Sequence, residues 1–134
     1  SYKFELGRGA VLREGKDAVI VASGIMVHEA MEAAKQLAAQ GIDVAVIDPV
    51  TIKPFDDALI RAYAEKTGLV VTAENHNKIG GLTSAVQNAI CGLPAKFGAV
   101  AIEDEFGEVG PQDYLRERFA LTDEHIVQVV KSLL

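Results

Sequence analysis

Leu69-Val70-Val71-Thr72 followed by Ala73-Glu74-Asn75-His76-Asn77-Lys78-Ile79-Gly80-Gly81 and then Leu82-Thr83-Ser84-Ala85-Val86 sets two hydrophobic periods side by side. The first run is continuously apolar and bounded by Gly68, as a strand covered on both faces would be. Past the glycines, Leu82, Ala85, Val86, Ala89 and Ile90 recur at i, i+3, i+4, i+7 and i+8, which marks one buried face of a helix. A strand therefore hands the chain to a helix through a polar, glycine-containing turn.

The same grammar repeats on both sides. Upstream, Ala18 to Ala22 reads as a buried strand ended by Ser23-Gly24, and Val27, Ala30, Met31, Ala34, Leu37 and Ala38 stripe a helix that Gly41 closes. Val44 to Ile47 is the next strand, stopped by Asp48-Pro49. Asp56 is placed to cap a second helix, with Phe55 and Ile60 spaced as a hydrophobic staple, and Gly68 ends it. Downstream, the third helix ends at Gly92-Leu93-Pro94 and a fourth strand is read at Val100-Ala101-Ile102. Pro111 suits the first turn of a short helix, and Thr122 is read as the cap of a last helix striped by Ile126, Val129, Val130 and Leu133. Strands alternating with helices at short spacing imply right-handed crossovers, hence an α/β fold: three layers, a mainly parallel sheet with helices on both faces.

Residues 1–16 break the pattern. Tyr2, Phe4 and Leu6 alternate, but Gly7, Gly9 and Gly15 and six charges surround them, so this stretch reads as an extended arm or interdomain linker with room for an antiparallel edge strand. Residues 17–134 form the domain. The chain begins at Ser1, as expected of a processed or excised piece of a longer polypeptide.

Composition bounds the function. A chain of 134 residues can bury roughly two-thirds of its unfolded surface. With 49% hydrophobic and 24% charged residues it belongs to the globular class, and a net charge of −6 disfavours nucleic acid or an anionic membrane as partner. The single cysteine, Cys91, excludes an internal disulfide and a cysteine-rich zinc site, and its apolar neighbours read as core. No signal peptide or membrane-length apolar span is visible, so the cytoplasm is the expected compartment.

Ligands of open α/β sheets bind beyond the carboxyl ends of the strands, which here means Ser23-Gly24, Asp48, Glu74 to Gly81 and Glu103 to Gly107. The Gly80-Gly81 turn, with Lys78 and His76, could present helix N–H groups to a phosphate or carboxylate. The same glycines equally suit a purely structural turn. His76 beside Glu74 could act in acid–base chemistry or sit at an interface. His28, on the polar face of the first helix, and His125 have no companions at metal-ligand spacing, and Glu103-Asp104-Glu105 with Glu108 reads as a solvated acidic loop before a cation site. G-x-G-x-x-G and P-loop motifs are absent. These residues give a complete fold and no complete active site; no catalytic, cofactor-binding or metal residue is nominated.

Several collinear segments resemble the C-terminal domain of transketolase-type thiamine diphosphate enzymes. They are Tyr2-x-Phe4-Glu5-x-Gly7 with Leu12-Arg13-Glu14-Gly15-x-Asp17, Ala22 to Val27 with Glu29-Ala30, and Val46-Ile47-Asp48 with Thr51-Ile52-Lys53-Pro54. Glu74-x-His76-Asn77-x-Ile79-Gly80-Gly81-Leu82, Phe106-Gly107-Glu108 and the tail Leu121-Thr122-x-Glu124-His125-Ile126-Val127 complete the set. The tail and the Phe-Gly-x-x-Gly-Pro loop are closest to transketolases divided between two polypeptides, and the family also includes deoxyxylulose phosphate synthase and 2-oxo acid dehydrogenase beta subunits.

The resemblance implies a terminal lobe of an enzyme that moves a two-carbon ketol unit between sugar phosphates, contributing domain packing and dimer assembly. Thiamine diphosphate and magnesium would serve the whole enzyme, where the family holds them with a Gly-Asp-Gly motif that this sequence lacks. The implied partners are the remaining diphosphate- and pyrimidine-binding domains, within a homodimer, and the isolated chain is expected to be inactive. Glu74, His76, Lys78, Gly80 and Gly81 are the candidate anion or interdomain contacts, and Phe106, Gly107 and Glu108 the candidate dimer or loop contacts. The readings from another class are a regulatory module binding a small anion at Gly80-Gly81 and a docking module of the dehydrogenase-complex kind.

Overall fold

The computed structural model describes residues 9–24, 26–50, 55–75, 81–102 and 112–134, without the side chains of 75, 101–102 and 112–122. The elements are β1 (Ala10–Arg13), β2 (Ala18–Ala22), α1 (Met26–Ala38), β3 (Val44–Asp48), α2 (Asp57–Thr67), β4 (Leu69–Asn75), α3 (Gly81–Ala89), β5 (Lys96–Ile102) and α4 (Gln112–Leu133). They form one five-stranded sheet of order β1-β3-β2-β4-β5, in which β2 to β5 are parallel and β1 pairs antiparallel with β3. The expected α/β architecture with an antiparallel edge is therefore present.

The uninterrupted apolar strands are explained by two cores, one on each side of the sheet. Because strand side chains alternate faces, Ala18, Ile20 and Ala22 meet α1 and α4, while Val19 and Val21 meet α2 and α3. The first core adds Met26, Ala30, Ala33, Ala34 and Leu37 of α1 and Ile126, Val127 and Val130 of α4; the second adds Ile60 and Ala64 of α2 and Leu82, Val86 and Ala89 of α3. All of β2 is fully buried, as a central strand must be.

Asp56 caps α2, its Oδ1 accepting from the Leu59 N–H at 3.2 Å, and Phe55 packs in the same core as Ile60. Gly68 closes α2 at φ +72°, its N–H reaching the Ala64 carbonyl at 2.8 Å, a left-handed position that glycine adopts without steric cost. β1 lies inside the stretch read as an arm. It is held by its ladder to β3, by the Gly9 N–H donating to Asp56 Oδ2 at 2.9 Å, and by Glu14, which accepts from the Tyr63 hydroxyl at 2.6 Å and from Lys66 Nζ at 3.4 Å. Buried Gly15 lets the chain pass directly against the β3 backbone at Val44-Ala45, where a Cβ would overlap main-chain atoms.

Three boundaries differ from the sequence reading. β4 runs on to Asn75. β5 starts at Lys96 and not at Val100, because an edge strand with a single neighbour tolerates exposed Lys96 and Ala99 among its apolar positions. The short helix after Pro111 and the Thr122-capped helix are one helix of 22 residues, with Thr122 in its interior. No glycine or proline interrupts Gln112–Leu133, and threonine disfavours a helix interior by well under 1 kcal/mol. The packing of Ile126, Val127 and Val130 against the sheet outweighs that local preference.

Candidate functional site

Parallel pairing brings the carboxyl ends of β2 to β5 to one rim, with Ala22 beside Ala73, Asp48 ending β3, and Asn75 opposite Ile102. Successive connections leave β2 toward β3 on one side and reach β4 on the other, so the switch point of the sheet lies between the ends of β2 and β4. Glu74 stands there, one residue from the end of β4, and is only 3% exposed.

A carboxylate buried to that degree needs donors. Glu74 Oε2 accepts from the Thr83 backbone N–H at 3.0 Å and from the Thr83 hydroxyl. Thr83 lies in the first turn of α3, whose leading N–H groups have no partner within the helix. The Glu74 side chain thus acts as an internal cap, placing negative charge at the positive end of the helix dipole. With the Thr83 proton directed to Glu74, the Thr72 hydroxyl donates to Thr83 Oγ1 at 3.2 Å. Thr72 is fully buried, and Glu74 Oε1 is buried without a partner. Strand β4 and helix α3 are therefore joined by three polar side chains set among the apolar residues of the core.

This arrangement bears on the anion reading of the turn. Gly81 is the exposed first residue of α3, but the Thr83 N–H that an external anion would use is already engaged by Glu74. Of the other nominated residues, His76, Lys78, Gly80, Phe106, Gly107 and Glu108 lie outside the described residues, as does the acidic loop Glu103 to Glu108. Among the described residues no group of His, Cys, Asp and Glu side chains is arranged to hold a metal. No helix among them is long and apolar enough to cross a membrane.

Two further rim features escaped the sequence reading. Asp48 Oδ1 accepts from the Val50 N–H at 2.8 Å, closing a turn in which Val50 takes φ +67°. A β-branched residue there is strained by about 1–3 kcal/mol, and no residue pattern announces it. Between α1 and α4, Glu29 is 3% exposed and shares a junction with half-buried Asp123. In the sequence Glu29 lies off the apolar stripe of α1, next to His28. Cys91, read as core, is exposed: it follows the end of α3, where the chain turns outward after Ile90. Its carbonyl and that of Ala89 accept from Arg61 Nη1, at 3.4 and 2.8 Å.

Comparison with known proteins agrees with this architecture. The family described as "Transketolase, C-terminal domain" matches residues 7–126. The 6-deoxy-6-sulfo-D-fructose transketolase subunit SqwH of Clostridium sp. (strain MSTE9) is 49% identical over 98% of this chain and 41% of its own length. A solved structure described as "Split gene transketolase, inactive beta4 tetramer" superposes with a TM-score of 0.81 and 44% identity, over 99% of this chain and 43% of the other. The 1-deoxy-D-xylulose-5-phosphate synthase of Syntrophotalea carbinolica is 40% identical over 96% of this chain and 21% of its own length. The chain thus spans about two-fifths of SqwH and of that structure and about a fifth of the synthase. With family match, fold and collinear motifs in agreement, the chain belongs to the transketolase family and is a transketolase C-terminal domain.

Proposed function

We propose that this chain is the terminal lobe of a transketolase-like enzyme that moves a two-carbon ketol unit between sugar phosphates, and that it supplies domain packing and dimer assembly while the chemistry belongs to the other domains. The observation that carries this reading is the family match over residues 7–126 together with a coverage of only two-fifths of SqwH. The rim supports it: its buried carboxylate Glu74 is spent on capping α3 through Thr83. Thiamine diphosphate and magnesium would serve the whole enzyme, supplying carbanion stabilisation there. The described residues do not fit either group, since no metal-holding cluster is present among them and the Thr83 N–H faces Glu74. We assign this chain no contact to the cofactor.

The partners are then the diphosphate- and pyrimidine-binding domains, in a homodimer, and the compartment is the cytoplasm. The stretches holding His76, Lys78 and Gly80, and Phe106, Gly107 and Glu108, which lie outside the described residues, are the contacts we assign to those partners. A coupled ketol-transfer assay tests the reading: the purified chain is combined with the two missing domains of a related transketolase, thiamine diphosphate and magnesium. Turnover that depends on adding this chain is expected, with none from the chain alone. Turnover by the chain alone, or failure of the domains to associate with it, overturns the proposal.

A further inference from the structure

β1 enters the sheet from the rim. It runs antiparallel to β3 with Ala10 opposite Asp48, so its first residue lies beside the carboxyl ends of the parallel strands, where β3 stops. Gly9, just ahead of it, is wedged between that strand end and the start of α2. A Cβ at Gly9 would stand 2.8 Å from Leu59 Cδ2 in the first turn of α2, and 3.4 Å from both the Asp48 carbonyl oxygen and Pro49 Cα. A glycine therefore brings a backbone N–H into this gap with no side chain in the way.

Asp56 receives that N–H. Its carboxylate is forked: Oδ1 accepts from the Leu59 N–H at 3.2 Å and Oδ2 from the Gly9 N–H at 2.9 Å, a contact between residues 47 positions apart. The backbone of an ordinary helix cap is extended. That of Asp56, at φ −84° and ψ 73°, is instead the centre of an inverse γ-turn, closed by the Asp57 N–H donating to the Phe55 carbonyl at 3.0 Å. The side chain has several staggered wells open to it, and holding both donors at once selects the one in which Oδ1 meets Leu59. The cap of α2 is thus oriented by a residue outside the helix.

We propose that Gly9 and Asp56 form a joint by which the seating of β1 sets the order of the first turn of α2. While the Gly9 N–H is in place, both oxygens are engaged and the cap is preorganised. When β1 lifts, Oδ2 loses its donor and the carboxylate is free to rotate. The Leu59 N–H and the Ile60 N–H, the latter held by the Asp56 carbonyl at 3.3 Å, then open more readily. The coupling is reciprocal, so whatever orders the start of α2 also seats β1. Resting on the reading of this chain as a terminal lobe whose rim meets the other transketolase domains, the joint carries a displacement of Gly9 into α2. The joint itself belongs to this chain alone and is tested without those domains, so its failure leaves that reading standing.

The test is native-state amide exchange of the whole chain at one pH. Val11→Ala loosens β1 and leaves both oxygens of Asp56 their donors. It should speed exchange severalfold at Gly9 and along β1 and, in step, at Leu59 and Ile60. Asp56→Asn keeps an oxygen for Leu59 and turns an amide donor toward Gly9, so it retains the cap and cuts the joint. In that background Val11→Ala should still speed β1 and no longer move Leu59 and Ile60. Val11 shares a core with Phe55 and Leu59, so packing is the rival route, and it survives in the Asp56→Asn background. Acceleration at Leu59 and Ile60 that persists there overturns the joint, as does their indifference to Val11→Ala in the parent. Where the double variant does not fold, Glu14→Ala takes the place of Val11→Ala: it unties the other end of β1 from Tyr63 and Lys66 and is judged by the same two outcomes.

Discussion

Replacing Thr83 by valine removes one hydroxyl at nearly constant volume and leaves the α3 backbone its helical preference. In the structure that hydroxyl donates to Glu74 Oε2 and accepts from Thr72, both partners being almost wholly buried. A hydrogen bond to a charged group contributes about 1.5–3 kcal/mol, and Glu74 keeps only the Thr83 N–H as a donor among the described residues. Thr83→Val should therefore cost about 2 kcal/mol. With a urea dependence of about 1–3 kcal/mol per molar for a small protein, the unfolding midpoint should fall by roughly 1 M. Thr83→Ser is the decisive companion: it keeps the O–H and loses one methyl, a loss of less than about 1 kcal/mol. Equal midpoints for the valine and serine variants, both measured by circular dichroism at one pH, would refute the internal-cap account of Glu74.

Other expectations follow from the packing. Gly15→Ala places a methyl group into the β3 main chain at Val44-Ala45, where nothing can yield, so the loss should exceed the ~1–3 kcal/mol of ordinary overpacking; folding yield and thermal midpoint report it. Asp56→Ala removes the α2 cap and the acceptor of the Gly9 N–H together and should cost about 1–2 kcal/mol, with faster amide exchange confined to β1 and the first turn of α2. The Tyr63 hydroxyl, hydrogen-bonded to Glu14, is pushed up to about 12. A folded-state pKa above the unfolded value of about 10 favours the neutral phenol in the fold, so its contribution is complete below pH 10 and is lost as pH rises toward 12. Ultraviolet titration should show one of the three tyrosines ionising late, and Tyr63→Phe should abolish that step; an unchanged profile would contradict the contact.

The two-sided core was readable because β2, β3 and β4 are apolar at nearly every buried position, Thr72 and Glu74 being the exceptions, and Gly68 and Asp56 carry their cap chemistry in their identity. β5 was half hidden because an edge strand has only one neighbouring strand, so exposed Lys96 and Ala99 break the apolar run. The continuous α4 was missed because Thr122 offers a cap that the neighbouring packing overrides. At the rim, the glycine turn drew attention to Glu74, but its bond to Thr83 spans nine residues and joins a strand end to a helix start, which no local period records. Glu29 was quieter still. Its place off the apolar stripe conceals a burial that arises only in the packed fold, where α1 lies against α4 and the sheet.

β1 precedes β2 in the chain yet pairs with β3, across a helix and a strand that come later. Its ladder cannot form until α1 has crossed over and β3 has taken its place beside β2, and its second tether, Asp56, lies later still. Within this chain the strand synthesised first is therefore seated among the last, closing an edge that the parallel strands leave open. Such an element should also be the first to leave: β1 gives the second core only the partly buried Val11, so an opening of this edge is separable from global unfolding.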